Sequence, residues 1–146
     1  DTRHRFFCAA QNKFAVDLRV QSGNDLGTRM ARIFDTRGAA PLLLVGTDCP
    51  ALDSAHLHAA ARTLREGNDA AFVTTEDGGY FLIGLRKPVP ELFVDIDWST
   101  DRVMVQTRQR LAALGLCWQE VAMLWDVDRP EDIARWQLLQ GNQSDV

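Results

Sequence analysis

Pro41-Leu42-Leu43-Leu44-Val45-Gly46-Thr47-Asp48-Cys49-Pro50 is the stretch on which the fold turns. Residues 42–45 are apolar at every position, not at alternate ones, so a strand here has both faces covered. That is the pattern of a central parallel strand sandwiched between helices. Gly46 ends the run and Pro50 limits any helix beyond it, which leaves Asp48 in the loop at the strand's carboxyl end. In open α/β sheets, ligands bind in the crevice beyond those ends.

Outward from this strand, short β-like runs alternate with helical ones. Upstream, Leu26, Met30, Ile33 and Phe34 recur at helical spacing between Asp25 and Asp35, and Gly38 stands where a C-cap belongs. Further back, His4–Ala10 reads as a strand from its aromatics and Cys8, and Val16–Val20 as a second, shorter one. Downstream, Asp53 announces a helix over 54–66, with Leu52 and Leu57 as a hydrophobic staple and Gly67 as its end. Ala70–Thr75 and Tyr80–Leu85 are strands separated by Glu76-Asp77-Gly78-Gly79. Ser99 is placed as the N-cap of a long helix closed by Gly115, with Trp98 and Val103 as its staple. Leu116–Ala122 is the last strand, and Asp128-Arg129-Pro130-Glu131 opens a helix running to about Gln140. The fold class is α/β with a largely parallel sheet.

At 146 residues the chain is one domain by length. Its 46% hydrophobic and 25% charged residues are ordinary globular values, which excludes a disordered or collagen-like chain. No apolar run approaches the ~20 residues that span a bilayer. A net charge of −4 gives no global field for nucleic acid. Cys8, Cys49 and Cys117 are odd in number and far apart, so reduced, buried thiols in a cytoplasmic protein are expected. His56 and His58 point to different faces of their helix and form no zinc pair. The four tryptophans, Trp98, Trp118, Trp125 and Trp136, read as core or rim and not as a stacking platform.

Four constellations carry chemistry. Asp48 is placed to hold a divalent cation, although an aspartate there equally serves by bonding the turn backbone. Glu76-Asp77-Gly78-Gly79 is first a hairpin turn, but its glycines let backbone approach a ligand and Asp77 could serve as a general base. Asp126 and Asp128 alternate on an extended segment and could converge on a metal, while Asp128 with Glu131 also makes a capping box. Gln21-Ser22-Gly23-Asn24-Asp25-Leu26-Gly27 leads into a helix with Arg29 in its first turn, an arrangement that can receive phosphate.

Taken in order, these strings resemble a family. They are Gln21…Gly23–Met30, Val45–Pro50, Glu76–Leu85, Trp98-Ser99-Thr100 and Asp126–Asp132, and the likeness runs from about Phe6 to Trp136. The family is a bacterial group of GT-A-type glycosyltransferase-like proteins, also described as radical-SAM/selenodomain-associated transferases. It is similar in fold to the nucleotide-diphospho-sugar transferases and to cofactor nucleotidyltransferases.

The resemblance implies a three-layer α/β/α domain over 1–146 with a mostly parallel mixed sheet. It implies an N-terminally incomplete one, because the family's opening strand and Lys/Arg-bearing glycine loop have no counterpart here. The resemblance also implies a metal-dependent glycosyltransferase that uses a nucleotide-diphospho-sugar and an acceptor of unknown identity. Asp48, Asp126 and Asp128 are then the ligands for Mg²⁺ or Mn²⁺. Asp48, Gly78, Gly79, Asp25 and Arg29 bind the nucleotide sugar, and Asp77 activates the acceptor. The alternatives are a nucleotidyltransferase of the cofactor guanylyltransferase type, or a non-catalytic scaffold that has lost its nucleotide site. The reading includes no nucleic-acid partner and no membrane span, and it admits a homo-oligomer.

Overall fold

The computed structural model describes residues 4–36, 38, 40–127 and 130–143. Its four strands are β1 (Leu42–Val45), β2 (Ala70–Thr75), β3 (Tyr80–Leu85) and β4 (Trp118–Leu124), in the spatial order β1-β3-β2-β4. β3 runs antiparallel to both β1 and β2, while β2 and β4 are parallel. Three of the four strands therefore share one direction, and the reversed β3 lies between two of them. The sheet is mixed because the Glu76–Gly79 turn folds β3 straight back onto β2, pairing Ala70 with Leu85 and Phe72 with Ile83.

Helices cover both faces. On one face α3 (Ser54–Arg65) packs Ala60 and Leu64 onto Ala71, Val73 and Leu82. On the other, α2 (Leu26–Asp35), a 3-10 turn (Pro90–Phe93) and α4 (Val103–Ala113) pack on the sheet. They bring Met30, Phe34, Phe93, Met104 and Leu111 against Phe72, Ile83 and Leu85. Every residue of β2 is buried. At ~25 cal/mol per Å² of apolar surface removed from water, these two clusters supply most of the drive to fold.

The helix signals at Asp53, Gly67 and Gly115 act as expected, whereas Asp25, expected as a ligand of the nucleotide sugar, is a helix cap. Asp25 caps α2 by accepting from the Thr28 N–H at 2.7 Å. Asp53 caps α3, and His56 answers it: the Asp53 N–H donates to the imidazole at 3.2 Å while the His56 N–H donates to the Asp53 carboxylate at 3.1 Å. Gly67 and Gly115 follow their helices in the left-handed conformation.

Several expectations are corrected. β1 does not lie in the middle of the sheet; among the described residues it pairs only with β3, and all four of its residues are half-buried. Leu42 and Leu44 face the α2 side and Leu43 and Val45 the α3 side. The apolar run thus reported two covered faces, which say nothing about a strand's neighbours in the ladder. His4–Ala10 is no strand. His4 accepts from the Phe6 N–H and caps a helix, α1 (Arg5–Phe14), which buries none of its residues. Val16–Val20 forms no strand either.

Ser99 is not an N-cap. It sits at φ +63°, and α4 starts at Val103, where the Met104 N–H donates to the Gly78 carbonyl at 2.8 Å. The Arg102 amide, three residues on, which a Ser99 cap would take, donates instead to the Thr100 hydroxyl at 3.2 Å. β4 begins at Trp118, two residues later than expected. α5 (Pro130–Gln143) forms, but Asp128 lies outside the described residues, and so does the capping box it would make with Glu131. Of the three free cysteines only Cys49 is buried; Cys8 and Cys117 are exposed.

Candidate functional site

The carboxyl ends of β1 and β2, the start of β3 and the segment after β4 surround a cavity of about 690 Å³. Its apolar floor is made by Leu26, Met30, Ile33, Leu44, Tyr80 and Phe81. Four aspartates line it, Asp48, Asp77, Asp101 and Asp126, together with Thr47, Thr75, Thr100 and Gln21. Arg29 is the one basic residue among the described lining.

Asp48 follows β1 and Asp126 follows β4, strands at opposite edges of the sheet. The Val127 N–H donates to the Asp48 carbonyl at 3.0 Å, and this bond carries the segment after β4 back across the sheet end. Burial pushes the Cys49 thiol up, and the negative charges of Asp126 and Asp48 push it further, so both carboxylates act on one point. Gly46 makes room for this corner: its amide donates to the Phe81 carbonyl at 2.8 Å. A Cβ there would stand 2.9 Å from the Phe81 ring and 3.0 Å from Asp48 Oδ1.

Asp77 is fixed by the turn that carries it. Its Oδ1 accepts from the Thr75 hydroxyl and from the Gly79 N–H. Glu76, next to it, is gripped by both terminal nitrogens of Arg135 at 2.8 and 3.0 Å, and this guanidinium also lies 4.6 Å above the Trp125 ring. The Arg135 guanidinium holds the Glu76 carboxyl below its ordinary range.

The wall on the α2 and α4 flank, away from the Asp48 loop, is Trp98-Ser99-Thr100-Asp101. Trp98 meets Tyr80 edge-on and Phe93 at a tilt, with centroids 6.5 Å away in both cases. It approaches α2 so closely that a Cβ on Gly27 would stand 2.7 Å from its ring. Gly78 lies against the Asp101 backbone, which brings Asp101 to the same wall as Asp77. The Tyr80 ring lines the cavity, but burial raises the hydroxyl far above the ordinary tyrosine range, so it stays protonated.

The structure thus gathers Asp48, Asp77, Asp126, Gly79 and Arg29 around one cavity. Asp25 and Gly78 stand outside the lining. The Asp25 carboxylate takes both the amide and the hydroxyl of Thr28, whose amide bond holds its pKa low. Gly78 serves the packing of the hairpin on Asp101. Asp128 lies outside the described residues. Among those described, no group of three or more His, Cys, Asp or Glu is placed to hold a metal ion. Asp101 was not foreseen. Its only signal was the Trp-Ser-Thr-Asp string, which reads as a helix start.

Residues 1–100 match the model of a family described as "Uncharacterized protein conserved in bacteria (DUF2064)". The chain belongs to this family. Its structure is also similar to the crystal structure, at 1.90 Å, of a putative nucleotide-diphospho-sugar transferase from Desulfovibrio desulfuricans G20. The TM-score is 0.69 and the identity 28%, over 85% of this chain and 62% of that one. This member of DUF2064 spans less than two thirds of that protein's length. No curated protein matches the sequence. No helix among the described residues is long and apolar enough to cross a membrane.

Proposed function

We propose that this DUF2064 protein is a glycosyltransferase that takes its sugar from a nucleotide diphosphate and works with Mg²⁺ or Mn²⁺. The observation that carries the reading is the Asp48–Asp126 corner, two aspartates lining one cavity at the carboxyl end of the sheet, on segments joined by the Val127–Asp48 backbone hydrogen bond. The structural likeness to a putative nucleotide-diphospho-sugar transferase supports it.

The donor set fits a hard divalent ion. Mg²⁺ takes oxygen ligands and is commonly held by one or two carboxylates, with phosphate oxygens and water completing its shell. Asp48 and Asp126 are the residues that would hold it. Such an ion supplies neutralisation of the charge that builds on a departing diphosphate.

The chain's own groups divide the remaining work. Arg29, in the first turn of α2, would pair with a phosphate beside the amides of the helix N-terminus. Asp77, with Oδ1 anchored by Thr75 and Gly79, would orient the acceptor hydroxyl and take its proton. In that transfer the bond from the sugar's anomeric carbon to the diphosphate oxygen breaks. A bond from that carbon to the acceptor oxygen forms, and the acceptor proton passes to Asp77.

The test is a thermal-shift series with UDP, GDP, CDP, ADP and dTDP, each with and without Mn²⁺, on the wild type and on Asp48→Ala. A ligand at a hundred times its Kd stabilises by ~2.7 kcal/mol. For a chain of this length that is roughly 5–10 °C. A metal-dependent shift for one base, lost in Asp48→Ala, is expected. A flat panel on folded protein overturns the reading.

A further inference from the structure

If Asp48, Asp126 and Arg29 serve the donor, as the proposed function has it, the rest of the cavity has no positive charge among its described residues. What remains includes an aromatic wall at Trp98, with two carboxylates beside it, Asp77 and Asp101, and the hydroxyls of Thr75, Ser99 and Thr100. We propose that the Trp98–Asp101 wall, together with Asp77, is a binding subsite for a polyhydroxylated acceptor that carries no acidic group.

This wall is built and held. The segment after Asp48 joins the α3-side core through Leu52, whereas Trp98 belongs to the core on the α2 and α4 side, so the two lie on opposite flanks of the sheet end. The indole is fixed by Tyr80, by Phe93 and by its close approach to Gly27. A ring fixed in this way offers an apolar platform at little entropic cost, and the C–H face of a sugar ring matches it.

Ser99 holds a left-handed conformation at φ +63° that a serine seldom adopts, and its neighbours keep it there. The Thr100 hydroxyl donates to the Asp97 carbonyl at 2.7 Å, and Gln106 bonds Asp97 through both its backbone N–H and its carboxylate. The Asp101 backbone is packed against Gly78, while its side chain is exposed and makes no hydrogen bond among the described residues. Carboxylates such as Asp77 and Asp101 accept charge-assisted hydrogen bonds from neighbouring hydroxyls. A carboxylate or phosphate on the acceptor would instead meet two like charges with no cation beside them in the lining among the described residues.

The experiment is saturation-transfer NMR on the full chain without nucleotide. The probes are the methyl glycosides of glucose, galactose and mannose, each beside its own uronate. At least one neutral glycoside is expected to receive saturation on its ring protons, and its uronate to bind at least about tenfold more weakly, as an unpaired like-charge contact dictates. Trp98→Leu should abolish the transfer. Because Trp98 also packs in the core, the decisive variant is Asp101→Asn, whose exposed side chain leaves the fold intact. It should narrow the gap between glycoside and uronate. Equal binding of the uronate, no contact from any neutral glycoside, or an unchanged gap in Asp101→Asn overturns the subsite. The nucleotide thermal-shift panel on the same samples judges the donor reading separately, because the sugar measurement needs no nucleotide.

Discussion

The Val127 N–H donates to the Asp48 carbonyl at 3.0 Å, although the two residues come after strands at opposite edges of the sheet. This bond ties the loop after β1 to the segment after β4, and the charges of Asp48 and Asp126 both reach the Cys49 thiol, so the proposed function has the two carboxylates work as one unit.

Groups that act as a unit give non-additive losses when removed. Asp48→Asn and Asp126→Asn should each abolish the Mn²⁺-dependent stabilisation by the preferred nucleoside diphosphate, and the double variant should lose no more than either single one. A thermal-shift double-mutant cycle measures this. Additive partial losses would show that the two carboxylates serve different ligands.

Gly46 separates stability from function. A Cβ at this position would stand 2.9 Å from the ring of the buried Phe81 and 3.0 Å from Asp48 Oδ1, so one of the two must move. Gly46→Ala should therefore cost about 1–3 kcal/mol of stability, the ordinary range of overpacking, and leave the chain folded. It should still displace the Asp48 carboxylate and remove most of the nucleotide-dependent shift. An alanine variant that retains the full shift would show that the Asp48 carboxylate needs no such exact placement.

Asp69 makes stability depend on acid. One of its oxygens accepts from the Cys117 N–H at 3.0 Å and the other from the Arg86 guanidinium. These bonds to the charged form, the Cys117 amide first, hold its pKa below the ordinary 3.8. A carboxyl lowered on folding adds stability that is fully present above its unfolded pKa and is lost as pH falls through the folded value. Urea midpoints should stay flat from neutral pH to about 5 and fall below about pH 4. Asp69→Asn should be less stable at neutral pH with a shallower acid slope, and an unchanged slope would refute the assignment.

How much of this was legible from the chain depends on the range of each interaction. Asp53 and Gly67 act within a turn of their own position, and the structure uses them as the spacing predicts; Asp25 acts as locally, but as a cap and not as the ligand the resemblance implies. The β2–β3 hairpin was equally local. The strand position of β1 was not, because an apolar run records which faces are covered and is silent about which strands lie alongside. α1 was misread because Phe6 and Phe7 suit a strand, whereas the cap that sets the helix is the imidazole of His4.

In the site, Asp48, Asp77 and Asp126 announced themselves as acids beside strand ends. Asp101 did not, because its place depends on how Gly78 packs against it, a contact with no trace in local spacing. Ser99 fails as a cap because its backbone is left-handed and the Thr100 hydroxyl accepts from the Arg102 amide, while the Gly78 carbonyl takes the Met104 amide at the start of α4.

That contact can be weighed against its own control. Gly67 and Gly78 have similar backbone angles, φ +103° and +93°, and alanine is strained at both. A Cβ on Gly67 meets nothing within 4 Å, so Gly67→Ala should cost only that strain, about 1 kcal/mol or roughly 2–4 °C. A Cβ on Gly78 would lie 2.2 Å from the Asp101 carbonyl oxygen, a backbone atom that cannot step aside as a side chain can. Gly78→Ala should add ~1–3 kcal/mol of overpacking to the strain, for a fall of roughly 5–12 °C. It should also break the hydrogen bond from the Met104 amide, so hydrogen exchange in the first turn of α4 should rise in Gly78→Ala and stay unchanged in Gly67→Ala. Equal melting temperatures for the two variants would mean that the hairpin and the Trp98–Asp101 wall move independently, and the joint placement of Asp77 and Asp101 would fall with it.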